Sequence, residues 1–436
     1  MKGFDSSQFH ALPKGTLREG AIGRAVSELV ERGYLRLEWA RAHMPVLRAV
    51  REALVASKAL KDLKIGMALH TEAKTGVLAL SLQEAGAKVR LASCNPLSTD
   101  DSVAAALNEK FGLETYAKKW ETTEEYYGNL NKVLDLKPDL VIDDGADLIS
   151  LLHTKRRELL RDIRGGNEET TTGVIRLRAM AKDGKLEFPV IDVNDAKMKH
   201  LFDNRYGTGQ STMDGIMTAT NLLIAGKTFV VAGYGWCGRG IATRAKGLGA
   251  NVIVTEIDPV KAIEAAMDGF RVMPMKEAVT VADFVVSATG VKDIVTEPHF
   301  RSMKDGCVLA NAGHFDNEVS KTDLERIGKR RRVREFVDEY ALPDGKRLYL
   351  LAEGRLVNLA AGQGHPVEIM DMSFAIQALC AEHLARHATS LPKQVVPVPV
   401  EIDDRVARLK LAAMSMSLDT ISAEQRRYLE SWTEGT

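Results

Sequence analysis

The run Thr228-Phe-Val-Val-Ala232 passes directly into Gly233-Tyr-Gly-Trp-Cys-Gly238 and then into Arg239–Leu248, a stretch of helical character. No other feature of the sequence constrains the fold as much. A glycine turn between a strand and a helix lets the backbone approach a phosphate. Gly233 permits the tight turn, Gly235 lets the chain come close to a pyrophosphate, and Gly238 lets the helix pack tightly on its strand. The helix predicted to begin near Arg239 directs the positive end of its dipole at the same anion. A second strand, Asn251-Val-Ile-Val-Thr255, closes on Glu256. An acid about 20 residues beyond the glycines accepts hydrogen bonds from the adenosine ribose hydroxyls and repels a 2′-phosphate. The unit predicts a dinucleotide site that takes NAD rather than NADP.

Strands alternate with helices elsewhere too. Phe284–Ala288 and Val308–Ala310 continue the pattern to about residue 312. Upstream, Lys64–Leu69 and Ala87–Ser93 flank a helix-like Thr75–Glu84, and a buried strand at 139–143 runs into Asp144-Gly145-Ala146-Asp147. Residues 21–60 have helical periodicity, with Ile22, Val26, Leu29 and Val30 on one side and Met44, Leu47 and Val50 further along. This alternation predicts an α/β protein of two doubly wound domains, each a parallel sheet with helices on both faces. A polar, glycine-containing stretch at about 203–215 lies between them. Ligands of such sheets bind beyond the carboxyl ends of the strands, which makes His70, Cys94, Asn95 and Asp144 candidates for a site.

Composition narrows the function. At 436 residues the chain has room for two or three domains. Its 59 basic and 59 acidic residues cancel, which argues against a protein built to grip nucleic acid or an anionic membrane. The one basic run, Lys329-Arg330-Arg331-Arg332, has no aromatic platform beside it and reads as a solvated face. Cys94, Cys237, Cys307 and Cys380 are scattered with no CxxC pair, so neither a structural zinc site nor a disulfide framework is expected, and a reducing compartment fits. No ligand spacing for a metal is present. The first residues lack an apolar signal region and no span is long enough to cross a bilayer, so a cytoplasmic protein is expected.

Polar clusters stand outside the glycine unit: Glu168-Glu169-Thr170-Thr171-Thr172-Gly173, Asn194-Asp195, Lys199 with Asp203-Asn204, Asn311-Ala-Gly-His314-Phe-Asp316, Asn358, and Gly364-His365-Pro366. Each alone has a plain alternative. The acids and threonines could cap a helix, Lys199 and Asp203 could be a surface pair, and either histidine could be a satisfied core residue.

Together these motifs resemble one family, S-adenosyl-L-homocysteine hydrolase. The resemblance rests on Asp143-Asp-Gly-Ala-Asp147, Glu168-Glu-Thr-Thr-Thr-Gly-Val174, Val193-Asn-Asp195 and Phe202-Asp-Asn-Arg-Tyr-Gly207. It continues through Val231-Ala-Gly-Tyr-Gly235, Thr255-Glu-Ile-Asp-Pro259, Gly313-His-Phe-Asp316, Leu351-Ala-Glu-Gly-Arg-Leu-Val-Asn358 and Gly364-His-Pro366. It implies a reversible thioether hydrolysis in which tightly held NAD oxidises the ribose 3′-hydroxyl, acidifying the C4′ proton. Homocysteine thiolate then leaves C5′, water adds, and the ketone is reduced again.

By position, the resemblance implies that Lys199 and Asp203 handle the 3′-hydroxyl and its proton, Asp144 exchanges the C4′ proton, and His70 serves near C5′. Glu169 would bind the ribose hydroxyls. Thr170, Thr171, Thr172, Asn204, Asn311 and Asn358 would join Gly233, Gly235, Gly238 and Glu256 in holding NAD. Glu72, Lys74, Thr75, His314 and His365 would contact substrate. A Lys acting as base would need its pKa lowered by its surroundings. The implied organisation is a substrate-binding domain at 1–205, an NAD-binding Rossmann domain at 206–364, a return to the first domain at 365–410 and a tail at 411–436, joined by a hinge, in a homotetramer.

Three departures stand out. The chain ends in Glu430-Ser-Trp-Thr-Glu-Gly-Thr436 without the Lys- and Tyr-bearing tail that many relatives extend to a neighbour's NAD. Thr208 stands where many relatives have Cys. After His70, Glu72 and Lys74 replace the common Thr and Glu that read adenine, as in the archaeal and thermophilic-bacterial branch. Adenine offers an acceptor at N1 and a donor at its 6-amino group, whereas hypoxanthine reverses both. The substitution reverses the protein's polarity as well, which makes S-inosyl-L-homocysteine an alternative substrate, unless Glu72 and Lys74 simply pair with each other. A dehydrogenase of small hydroxy acids would share the glycine unit but not the Glu169, Lys199 and Asp203 motifs. A non-catalytic regulator on the same scaffold would have lost His70, Asp144, Lys199 or Asp203.

Overall fold

The computed structural model describes residues 16–433; the expectation about a signal segment lies, for residues 1–15, outside the described residues. Six short strands come first: β1 (Lys64–Ala68), β2 (Lys88–Ala92), β3 (Glu114–Tyr116), β4 (Leu140–Asp143), β5 (Gly165–Glu168) and β6 (Val190–Asp192). A second set follows: β7 (Thr228–Ala232), β8 (Asn251–Thr255), β9 (Arg271–Val272), β10 (Phe284–Ser287), β11 (Val308–Asn311), β12 (Lys329–Arg334), β13 (Val337–Ala341) and β14 (Arg347–Leu351). The chain then returns through the helix Val367–His387 to add β15 (Val395–Pro397) to the first sheet.

The sheets run β15-β6-β5-β4-β1-β2-β3 and β12-β13-β14-β11-β10-β7-β8-β9. The first is parallel throughout, and in the second β13 runs antiparallel to both β12 and β14 while the other pairs are parallel. Both share the doubly wound order 3-2-1-4-5, followed by β6 in the first sheet and β14 in the second, with its reversal between β1 and β4 in one sheet and between β7 and β10 in the other. β4 and β10 are buried along their whole length, as strands covered on both faces must be. The helix Val367–His387 sends Met372, Phe374, Ile376 and Leu379 into the core that Leu47, Leu54, Ile65 and Met67 share.

Several local expectations shift. The helix after the glycine turn starts at Trp236, not near Arg239, so Gly238 sits in its first turn, where a Cβ would lie 1.9 Å from the Gly233 carbonyl oxygen. The N-terminal periodicity resolves into helices Thr16–Ala42 and Pro45–Ser57. Val26 faces solvent while Val30 is buried, and the side chain of Ile22 lies outside the described ones. The basic run lies exposed on β12, where Arg330 and Arg332 pair with Asp338 and Arg331 pairs with Glu339 on β13.

The stretch at 203–215 is helical. A wide π-turned segment, His200–Gly207, runs straight into the α-helix Thr208–Thr220. Its glycines serve close approach: a Cβ on Gly240 would stand 1.8 Å from the Arg205 carbonyl oxygen, and one on Gly209 would stand 2.6 Å from the carbonyl oxygen of Gly240. Backbone meets backbone there, so no side chain can swing aside. Gly240→Ala is expected to lower stability by about 1–3 kcal/mol, the usual range for overpacking. Thermal melting checks this, and an unchanged Tm would show that the two helices separate freely.

Candidate active site

The two switch points face each other. The carboxyl ends of β1 and β4 carry His70 and Asp144, and those of β7 and β10 lead into Gly233 and Thr289. Between them lies a cavity of about 1270 Å³, large enough for a dinucleotide and a second small molecule.

Acidic pairs at the strand ends divide their work. Asp143 Oδ1 accepts the Asp144 amide and its Oδ2 accepts the Ile149 amide, while Glu168 Oε1 accepts the amides of Gly145 and Thr170. These inner acids hold the turns. Asp144 and Glu169, one residue on, line the cavity. Gly145, at φ +100°, is the residue over which His314 closes; a Cβ there would meet the ring at 2.3 Å. Asp144 lies between two imidazoles, with His70 Nε2 3.4 Å from one oxygen and His314 Nδ1 3.6 Å from the other. The far nitrogen of His70 is set by Ser98 Oγ at 2.7 Å, and Cys94 Sγ is 3.2 Å away. Burial pushes the His70 imidazole down to about 4, so the ring is neutral at pH 7 despite Asp144.

Lys199 and Asp203 are both buried and line the cavity, so the surface-pair alternative fails. Lys199 Nζ donates to Asn204 Oδ1 at 2.8 Å and stands 3.4 Å from Glu169 Oε1 and 3.8 Å from Asp203 Oδ1. Burial alone would lower its pKa, but Asp203, Glu169 and Asp144 together outweigh burial and hold the ammonium above its usual range. That is the reverse of what a free base requires. Burial likewise tends to raise Asp203, yet Lys199 and His365 overcome it and keep the carboxyl well below the usual carboxylate range. Glu169 goes the other way, since burial outweighs Lys199 and pushes its carboxyl up to about 8.

Two residues that sequence reasoning missed hold these carboxylates. Ser373 Oγ donates to Asp203 Oδ2 at 2.7 Å, and Gln377 Nε2 donates to Glu169 Oε2. Both are wholly buried, one turn apart on the helix Val367–His387. The available signal was two polar residues at i,i+4 on the inner face of an apolar helix. His365 joins them, its Nδ1 2.8 Å from Asp203 Oδ1. Thr208, where many relatives have a thiol, has one beside it: its hydroxyl lies 3.6 Å from Cys237 Sγ and 3.3 Å from His365 Nε2.

The cofactor half of the cavity fits NAD. Gly233, Gly235, Glu256, Thr170, Thr171, Thr172, Asn204 and Asn358 line it. A Cβ on Gly235 would meet nothing within 4 Å, so this glycine borders open space. Glu256 Oε1 accepts two amides, from Ile257 and Asp258, and Oε2 only one, from Tyr234, which leaves Oε2 acceptor capacity for a ribose hydroxyl. Asn358 donates to Ser211 while its buried Oδ1 has no partner, as expected where an amide-bearing ring is to be received. Thr289 and Gly290 on the opposite wall are tethered by Glu318, another residue missed from sequence.

Three of the expected residues lie off the cavity wall: Gly238, in the first turn of its helix, Asn311 and Lys74. Asn311 does not line the cavity: its amide donates to the carbonyls of Gly313, Phe315 and Gly354 and its oxygen accepts from Gly313 and Ser287, so it ties the loop that carries His314. Lys74 does not line it either. Its ammonium lies 2.9 Å from Glu72 Oε2 and donates to the Gln363 carbonyl at 2.7 Å. Glu72 and Thr75 do reach the wall, but Glu72 also caps the helix Ala73–Glu84, accepting the amides of Lys74 and Thr75.

Comparison with known proteins agrees with this geometry. The family model for S-adenosyl-L-homocysteine hydrolase matches residues 25–162, and that for its NAD binding domain matches residues 204–364. The chain is 59% identical to the adenosylhomocysteinase of Thermoplasma volcanium over 93% of its own length and 99% of that protein's. It is equally 59% identical to the S-inosyl-L-homocysteine hydrolase of Methanocaldococcus jannaschii, over 94% of this chain and 98% of that one. The adenosylhomocysteinase of Aquifex aeolicus is 56% identical over 94% and 98%.

The raised carboxyl of Glu169 has a consequence for stability. The folded chain keeps this proton up to about pH 8, whereas the unfolded carboxyl loses it near 4.5, so this residue makes stability fall as pH rises between those values. Glu169→Gln removes the titration. In ligand-free protein the Tm of the variant relative to wild type should climb across that window and level off above it. A difference independent of pH would contradict the assignment.

Proposed function

The chain belongs to the S-adenosyl-L-homocysteine hydrolase family, and on that premise we propose that it catalyses reversible hydrolysis of S-adenosyl-L-homocysteine to adenosine and L-homocysteine. The observation that carries this reading is the convergence of Asp144, Lys199, Asp203, Glu169 and His70 on one cavity with a dinucleotide site. NAD, when bound, supplies reversible oxidation at the ribose 3′ position.

Glu169 orients the sugar by accepting from its hydroxyls. Lys199 and Asp203 handle the 3′-hydroxyl proton. Because Glu169 is one of the groups that hold Lys199 protonated, a sugar hydroxyl that engages Glu169 in place of Lys199 weakens that hold and moves the amine toward use as a base. Asp144 takes the C4′ proton and returns it, and the neutral ring of His70, fixed by Ser98, steers the water that adds at C5′. His314 and His365 close over substrate from the cofactor side and exclude water from the ketone. Asn358 and Asn204 stand at the nicotinamide end, and Glu256 takes the adenosine ribose of the cofactor.

S-inosyl-L-homocysteine is the second reading, and one observation favours it: Glu72 presents an acceptor at the cavity wall that suits N1–H of hypoxanthine. The same acceptor also suits the 6-amino group of adenine, and the donor that would seek O6, Lys74, is turned to Glu72 and Gln363. Adenosine therefore comes first. We further propose a cytoplasmic homotetramer. The four cysteines are free, and the helix Ala423–Glu430 has no buried residue: its Tyr428 and Leu429, with Trp432 just beyond it, are exposed, the kind of apolar surface a second copy covers. No helix among the described residues is long and apolar enough to cross a membrane.

Synthesis-direction turnover tests the reaction. Purified NAD-loaded protein with homocysteine and adenosine should consume thiol, and no turnover with adenosine or inosine would remove the enzyme reading. Faster use of inosine would reverse the order of the two substrates. The double variant Glu72→Thr, Lys74→Glu should leave the inosine/adenosine ratio nearly unchanged if their mutual ion pair is what matters, and raise adenosine preference by an order of magnitude or more if Glu72 reads the base. Gln377→Ala frees Glu169 and should raise KM for the nucleoside by about 10-fold, the loss of one buried hydrogen bond, while Gln377→Glu should not restore it.

A further inference from the structure

We propose that Lys119 and Trp120 are positioning residues for His70: by gripping the second domain they clamp the loop whose Ser98 sets the imidazole. Neither lines the cavity. Both stand in the loop after β3, and their partners are Phe336, at the turn between β12 and β13, and Ala360. The Trp120 indole stacks on the Phe336 ring, with centroids 6.2 Å apart and planes 9° from parallel. The Lys119 ammonium stands 4.9 Å from the centre of the same ring and donates to the Ala360 carbonyl at 3.0 Å. That carbonyl ends the short helix Val357–Ala360, and a lysine is a natural cap for such a group. The helix also carries Asn358, which lines the cofactor half of the cavity.

The same two residues brace the loop that holds His70. Their backbone amides donate to it at either end, Trp120 to the Pro96 carbonyl at 2.9 Å and Lys119 to Asp101 Oδ1 at 2.7 Å. Between those points Leu97 packs on Ala352 and Ala360 of the second domain. Ser98 follows directly. The hydroxyls of Ser93 and Ser98 both donate to the Asn95 carbonyl, at 2.8 and 3.0 Å. With its proton so committed, Ser98 Oγ accepts Nδ1–H of His70 at 2.7 Å, which leaves the Nε2 lone pair on the side of Asp144.

Trp120 has φ +67°, in the left-handed region that a bulky residue keeps only where its surroundings hold it. Phe336 holds the indole and Pro96 holds the amide. On the other side the Phe336 carbonyl accepts the Ala352 amide at 2.9 Å, so the surfaces met by Trp120 and Leu97 move as one. Separation of the domains takes the partners of Lys119, Trp120 and Leu97 away together, and the hydroxyl that fixes the imidazole loses its support. The benefit at C5′ rests on the reaction proposed above; the hold on the Ser98 loop does not.

Amide hydrogen exchange on full-length, NAD-loaded protein without substrate reads that hold directly. Trp120→Ala and Lys119→Met should each speed exchange across Asn95–Ser98 by about 5-fold or more, the loss of one stacking or cation–π contact, with β1 and β4 unchanged. Trp120→Phe keeps a stacking ring and should restore protection. In thiol-consuming turnover, kcat of Trp120→Ala should fall by about 5-fold while the rate at which bound NAD is reduced on mixing with nucleoside stays the same, since that step does not use His70. Trp120→Ala should add no further loss to Ser98→Ala, which already lacks the link. Unchanged exchange at Asn95–Ser98 in either variant, equal slowing of cofactor reduction and turnover, or losses in Trp120→Ala and Ser98→Ala that multiply would each overturn the proposal. If exchange quickens as described and the protein shows no thioether hydrolysis, the hold on the loop stands and only the reaction falls.

Discussion

Lys199 carries its ammonium where water has been removed, with Glu169 and Asp203 on either side and the amide oxygens of Asn204 and Asn194 completing its surroundings. A buried charge of this kind persists only if its partners are held as firmly as it is, because taking one away leaves an unpaired charge in a medium that cannot solvate it. Much of the neighbouring structure serves that requirement. Ser373 and Gln377 come from a helix that enters only after the second domain is complete, and His365 comes from the loop before that helix. The chain's return to the first sheet is thus a condition of the site, since the charge cluster is finished by residues that the first 200 positions do not contain.

The carboxyl groups around Lys199 are driven in opposite directions by the same burial. Asp203 has Lys199, His365 and Ser373 and stays charged, whereas Glu169 has Lys199 and a single neutral amide donor, which do not offset its burial, and tends to keep its proton. A site prepared to exchange protons at neutral pH benefits from acids whose proton affinities differ this much. The glycines close the geometry. Gly145 lets His314 of one domain reach Asp144 of the other, and Gly240 lets the helix of the dinucleotide turn press on the π-turned segment that carries Asp203 and Asn204. Cofactor site and charge cluster are in this way mechanically joined.

Much of the site was readable from residue order. The glycine turn, the acid after the next strand, and the Glu169, Lys199 and Asp203 motifs all line the cavity. Asn311, which the family resemblance alone put at the cofactor, spends its amide on three carbonyls. Lys74 pairs with Glu72 and a carbonyl, the alternative that the sequence leaves open beside a donor to the base. Ser373 and Gln377 were overlooked because a polar pair in an apolar helix carries no sign of what it faces.

What the sequence by itself determined is whatever depends on local order: alternating strands and helices, the glycine turn, the acid that selects NAD, and the motifs that identify the family. Those features act over a few residues, so adjacency along the chain preserves them. Only the tertiary structure decided which of two adjacent acids faces the cavity, whether a lysine's pKa rises or falls, which polar side chains spend themselves on backbone, and that two histidines and an aspartate from three loops converge. Each of these is settled by distance in space and by the exclusion of water, and neither is written in the order of the residues.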